Sequence, residues 1–135
     1  MTLAADGRPR PVPIAFAFVD GPSGLVLYSA LDEKRKAVAD PRMLARVHDI
    51  GTRPRVAVLV DHWDEDWSRL AWVRLEGTAM VLEPTHPSVP TEASAAEHSL
   101  AIGLLRERYP QYAKHKLESR PVIRIAIGRV SGWSA

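Results

Sequence analysis

Short apolar, β-branched runs alternate along this chain with clusters of proline, glycine and charge, and the spacing names most of the elements. DGRPRP (6–11) is turn chemistry followed by strand entry. Asp-Gly favours a tight turn, and the prolines keep the chain extended while denying it ladder donors. VPIAFAFV (12–19) reads as a strand, DGPSG (20–24) as a five-residue loop, and LVLYSA (25–30) as the returning strand of a hairpin. In residues 42–50, Met43, Leu44, Val47 and Ile50 recur at helical spacing, with Asp40 placed to cap and Pro41 at the first position. RVAVLVDH (55–62) alternates as a third strand. RLAWVRLEGTAMVL (69–82) is a long fourth, with Gly77 marking a bulge or close approach. A proline-rich loop (83–91) then leads to a helix over 93–108. Its apolar face is predicted to be Leu100, Ala101, Leu104 and Leu105, and Pro110 ends it. PVIRIAIGRVSGW (121–133) is the last strand. Strands dominate, so the pattern predicts a mainly β fold, a small β-barrel with two helical additions.

Length changes this picture only by fixing its scale. The 135 residues suffice for one core and predict a single domain over 1–135. No apolar run approaches the roughly 18 residues of a membrane helix, and MTLAADGRPRPVP lacks the apolar segment of a secretory signal, so a cytoplasmic protein away from membranes is expected. With no cysteine, thiolate catalysis, disulfides and Cys-based zinc sites are excluded. A net charge of +2 gives no argument for a nucleic-acid partner. Its distribution is more telling, because the span from Ser29 to Arg55 carries seven basic residues against four acids.

VDHWDEDWSRLAWVRLEG (60–77) stands out, with acids and tryptophans in the connection between the third and fourth strands. The acids and His62 invite a metal reading, but the run lacks the Gly and distal Glu of a calcium loop, and the five histidines show no HxH or HExxH spacing. No metal is expected. Two readings of the tryptophans stay open. In one, Trp63, Trp67 and Trp72 are core or interface aromatics, the acids keep the hairpin tip soluble, and Asp66 or Glu65 pairs with Arg69 or Arg74. In the other, strand alternation puts Trp72 and Arg74 on one face, opposite Val73 and Leu75, where a ring and a cation edge a binding site.

DGRPRPVPIAF, YSALDEKRK, LARVHDIGTRPRVAVLVDHWDEDWSRLAWVRLEGTAMVL, RYPQY and the terminal GWSA follow one another in an order that resembles the pyridoxamine 5′-phosphate oxidase-like family of flavin- and deazaflavin-binding split barrels. Within it, the chain is most similar to the actinobacterial branch of coenzyme F420-dependent oxidoreductases. The likeness runs over nearly the whole chain, and DHWDEDWSRLAWVR is its most specific part. Family members carry a helix and a complete first strand before the DGRP turn. Only MTLAA precedes it here, so an N-terminally truncated split barrel of the FMN-binding type is expected. The stretches between Lys36 and Leu44 and over 89–99 are longer than the family pattern.

The resemblance implies a homodimer with two cofactor sites at its interface and a small-molecule substrate. For the cofactor, Pro11, Val12 and Pro13 offer a stiff extended wall for a planar ring, while Ser29 and Ala30 end a strand where a hydroxyl and backbone N–H groups meet a phosphate. Lys34 and Lys36 follow at once. They read either as a solvated basic loop or as charge-assisted donors, worth about 1.5–3 kcal/mol each, to a phosphate or the acidic tail of a deazaflavin. Trp72 and Arg74 complete the candidate set. The expected activity is hydride transfer with coenzyme F420. The alternatives are an FMN-dependent flavoprotein and a binder of F420, flavin or a haem-like ligand without turnover. No catalytic acid or base stands out, because the hydride chemistry belongs to the cofactor.

Overall fold

The computed structural model describes residues 1–33, 39–84 and 92–135. Lys34 and Lys36, and most of the proline-rich loop, lie outside these residues. The architecture is a split β-barrel built on a five-stranded antiparallel sheet. Its strands are β3 (Ala17–Gly21), β4 (Gly24–Ala30), β5 (Arg55–His62), β6 (Ala71–Leu82) and β7 (Val122–Ser134), in spatial order β3-β4-β7-β6-β5. Two short strands, β1 (Thr2–Leu3) and β2 (Pro9–Arg10), pair with each other. They complete the wall in a way the hydrophobic pattern does not reveal. The Ala57 N–H donates to the carbonyl of Met1 at 3.2 Å, so the chain at β1 runs along the free edge of β5. β2 then feeds through residues 11–16 into β3.

The ladder begins later than alternation predicts. Residues 12–16 carry no strand pairing, and β3 starts at Ala17. Pro11 and Pro13 have no N–H to give a ladder. The connection to β4 is also tighter than the expected five-residue loop, because Gly21 pairs with Gly24 and leaves only Pro22 and Ser23 between the strands.

Two apolar clusters sit on either side of β4, which explains why its sequence is a continuous apolar run rather than an alternation. Tyr28 and Ala30 pack with Leu82, Val122 and the α2 (Glu92–Arg108) residues Ala101, Ile102 and Leu105. Leu27 and Leu31 pack with Val56, Val58, Leu75, Ile123 and Ile125, together with Ile50 from α1 (Ala45–Thr52). The face that α2 buries is rotated from the predicted one. His98, Ala101, Ile102 and Leu105 point inward, whereas Leu100 is 49% exposed. His98 fits there because its Nε2 lies 2.8 Å from the carbonyl of Arg120. A polar bridge joins α2 to the sheet: the Tyr28 hydroxyl donates to Glu97 at 2.8 Å, and Arg124 Nε donates to the same oxygen at 2.7 Å. Burial, aided by Glu97, pushes the Tyr28 phenol up to about 12, so it stays a donor throughout the neutral range.

The predicted helix over 42–50 is divided. Pro41–Met43 forms a 3₁₀ turn in which Asp40 accepts from the Arg42 N–H at 2.9 Å, and α1 follows. The α1 residue Asp49 is buried, accepting from Thr2 Oγ1 at 2.7 Å and from Arg10 Nε at 2.9 Å. One carboxylate thereby ties β1, β2 and α1 together. Between Glu76 and Gly77 the register of β6 with β7 shifts by one residue, Gly128 of β7 being the extra one, and Gly77 is the point of close approach opposite it.

Candidate functional site

Where β5, β6 and β7 run past the core, one face of the sheet is left open, and the segment after β2 stands against it. Between them lies a groove of about 780 Å³. That volume is within the ~300–1,000 Å³ usual for small-molecule and cofactor sites. Pro11, Val12 and Pro13 line one side, and Leu59, Trp72, Arg74 and Trp133 the other, with Trp63 at the end of β5. The lining is mostly apolar, and its ionisable side chains are Asp61, His62 and Arg74.

Ladder register explains the composition. Directly paired residues share a face. Asp61 pairs with Trp72, and Trp72 with Trp133, so an acid and two indoles form one row. Leu59, Arg74 and Ser131 form the next row toward the core. The alternate residue Leu75 is buried on the opposite face, as alternation requires. Gly132 permits the close pairing, because a Cβ there would stand 2.9 Å from the Trp72 carbonyl oxygen. The Arg74 guanidinium lies 6.0 Å from the Trp72 ring centroid and 3.1 Å from Glu76.

The hairpin tip departs from the expected pairings. Arg69 pairs with Asp64 at 3.3 Å, and Arg74 with Glu76. Asp66 instead caps the turn over Trp67–Arg69, accepting from the Ser68 N–H at 3.1 Å and the Ser68 hydroxyl at 2.7 Å. An Asp two residues before a backbone N–H satisfies that donor locally, before a more distant arginine can compete. Neither Trp63 (71% exposed) nor Trp67 (74%) is a core residue in this chain.

Of the nine residues named from the sequence, the structure gathers five, Pro11, Val12, Pro13, Trp72 and Arg74, on this groove. Ser29 and Ala30 are buried behind it. Ala30 packs under α2, whereas Ser29 lines a void of about 40 Å³ with Arg10, Arg46 and Val12. A space of that size has room for a water molecule but not for a ring. It shares Met1, Val12, Ala57 and Val58 with the groove wall. Arg46 is the unusual group here: its Nε is buried with no hydrogen-bond partner among the described residues, and burial pulls its pKa below the ordinary arginine value against the opposing charge of Asp32. By contrast, Arg42 is committed to Glu83, donating at 2.6 Å. Sequence reasoning passed over Trp133 and Asp61 as site residues. Their signal was the register that brings the ends of β5 and β7 beside Trp72.

The fold and the groove together define a small split barrel with an apolar, tryptophan-walled cleft between its first segment and a projecting sheet. The chain belongs to the pyridoxamine 5′-phosphate oxidase family, which it matches over residues 1–134. No curated protein is similar enough in sequence to count as a match. Among solved structures, a conserved hypothetical protein of Mycobacterium tuberculosis is 22% identical with a TM-score of 0.67, over 98% of this chain and 73% of that one. A FAD-binding protein of Mesorhizobium loti is 22% identical with a TM-score of 0.63, over 97% and 80%. The haem storage protein of Vibrio cholerae is 13% identical with a TM-score of 0.56, over 98% and 81%. At these identities the likeness establishes the fold. No helix among the described residues is long and apolar enough to cross a membrane.

Proposed function

We propose that this chain is an oxidoreductase that uses the deazaflavin coenzyme F420 to transfer hydride to or from a small organic substrate. The observation that carries the reading is the meeting of Pro11–Val12–Pro13 and Trp72–Arg74 across one apolar groove. Those residues suit a planar ring: a proline-stiffened strand on one side, indoles on the other, and little to hold water. Arg46, whose buried Nε has no partner among the described residues, is a donor suited to the coenzyme's phosphate. When bound, the deazaflavin ring supplies the hydride chemistry, and the protein supplies orientation and a dry wall. FMN is the second reading, because the same groove and the same donors suit a flavin ring and a single phosphate. A binder without turnover is the third, and a panel of acceptors with reduced coenzyme separates it from the enzyme.

The working unit we infer is a homodimer. Leu59, Val60, Val73, Val130, Trp63 and Trp67 are exposed on the projecting β5–β6–β7 flange and its tip, more apolar surface than a lone small barrel ordinarily leaves wet. Light scattering should give twice the chain mass. A monomer that still holds coenzyme would exclude an interface site.

The basic run offers the sharpest test. If Lys36 meets the phosphate or acidic tail, Lys36→Ala should weaken coenzyme binding by about tenfold to a hundredfold. Binding should also fall as salt rises. Lys114 removes the same charge from an exposed turn and serves as the control. Equal dissociation constants for Lys36→Ala and Lys114→Ala would transfer the role to Arg46.

A further inference from the structure

The groove is richer in aromatic surface and differently charged than a ring-and-phosphate cofactor needs. Trp72 and Trp133 are cross-strand partners, 36% and 50% exposed, and both face the groove. Asp61 completes their row and lies on the same lining. Its carboxylate makes no hydrogen bond or ion pair among the described residues. Of the neighbouring charges, Arg74 pairs with Glu76, Asp64 pairs with Arg69 at 3.3 Å, and the Met1 ammonium on the same lining is held by the Ala57 carbonyl at 2.6 Å. A carboxylate in one cross-strand row with two indoles, all three on the groove lining, is the recognition chemistry of an organic cation, attracted both by the ring quadrupole and by the acid.

We propose that the Asp61–Trp72–Trp133 row is the substrate subsite, and that it selects a flat, conjugated molecule bearing a cationic nitrogen. The idea rests on the groove being the cofactor site proposed above, with the coenzyme ring against Pro11–Pro13, and adds to it the class of molecule that lies between that ring and the tryptophan row. Asp61 and Trp133 act here as specificity residues: the indoles take the flat body, and the carboxylate takes the charge. An anionic analogue of the same shape meets Asp61 unfavourably and finds Arg74 already held by Glu76.

Two tricyclic probes of opposite charge decide the matter, proflavine as the cation and anthraquinone sulfonate as the anion. Calorimetric binding is measured on wild type and on Asp61→Asn, with and without saturating coenzyme. Asp61 is exposed, so the variant keeps the fold. Proflavine should bind wild type at least tenfold more tightly than anthraquinone sulfonate, and Asp61→Asn should abolish most of that preference. Trp133→Leu should weaken both probes, since it removes the stacking face and leaves the charge. Equal affinity of the two probes, an unchanged preference in Asp61→Asn, or displacement of the coenzyme by proflavine would each overturn the proposal. Failure of the coenzyme itself to bind would sink the oxidoreductase reading instead. The charge preference in coenzyme-free protein would then still report whether Asp61 selects cations.

Discussion

Replacing Gly77 by alanine should destabilise the fold by roughly 3 kcal/mol or more, the upper part of the range for overpacking. A Cβ at Gly77 would sit inside contact distance of the Ala126 carbonyl oxygen, 3.0 Å from its carbon and 3.1 Å from Ile125 Cγ2. The obstruction is backbone of the paired strand, so no rotamer change relieves it. Either β6 moves away from β7 or the bulge is lost. The extra residue is Gly128 of β7, so losing the bulge by one residue would carry Ser131 and Trp133 to the opposite face, and the groove should fail along with stability. Gly103 provides the contrast. It lies on the exposed side of α2, where a Cβ meets nothing within 4 Å. Gly103→Ala should therefore stabilise by up to about 1 kcal/mol through helix propensity. Urea denaturation of the two variants, moving in opposite directions from wild type, checks the pair.

Asp49→Ala should cost about 2–3 kcal/mol and also loosen coenzyme binding. The carboxylate is 2% exposed, and its removal strands the Thr2 hydroxyl and the Arg10 guanidinium. Arg10 is 42% exposed and recovers part of its hydration, which keeps the loss below that of a fully buried pair. The functional consequence follows from position. Arg10 immediately precedes Pro11, so releasing it frees the segment that forms one wall of the groove. Denaturation midpoints give the first effect and coenzyme titration the second. Asp6→Ala, which breaks the solvent-exposed pair with Arg8, should leave the midpoint where it is.

The sequence made legible those features that depend on local period. β5 spans the predicted 55–62, α2 begins within a residue of prediction, and Gly77 is a point of close approach beside the register shift. Alternation alone put Trp72 and Arg74 on one face and Leu75 on the other. What stayed hidden was set by partners far away in the chain. The edge beside β5 is occupied by residues at Met1, a separation of 56 positions that no periodicity encodes. Leu100 reads as core from its spacing, but the sheet beneath α2 receives Ile102 and leaves Leu100 in solvent. In the site, Pro11–Pro13 and Trp72–Arg74 were readable as candidates, because stiff extended chain and a strand-borne aromatic are local facts. Their meeting across a groove, the addition of Trp133 and Asp61, and the unpartnered Nε of Arg46 all depend on sheet register and helix placement. Ser29 shows the limit of the local argument, since the strand end that looked accessible in sequence is covered on both faces.

The central claim is that a planar redox coenzyme lies between Pro11–Pro13 and the tryptophan row. Titrating the protein with coenzyme F420 and with FMN while following tryptophan emission tests it most directly, because Trp63, Trp72 and Trp133 all line that groove. Saturable quenching, tighter with coenzyme F420 than with FMN and reduced by Trp72→Leu, is the predicted result. Emission that stays flat with both coenzymes, in folded protein, would contradict it.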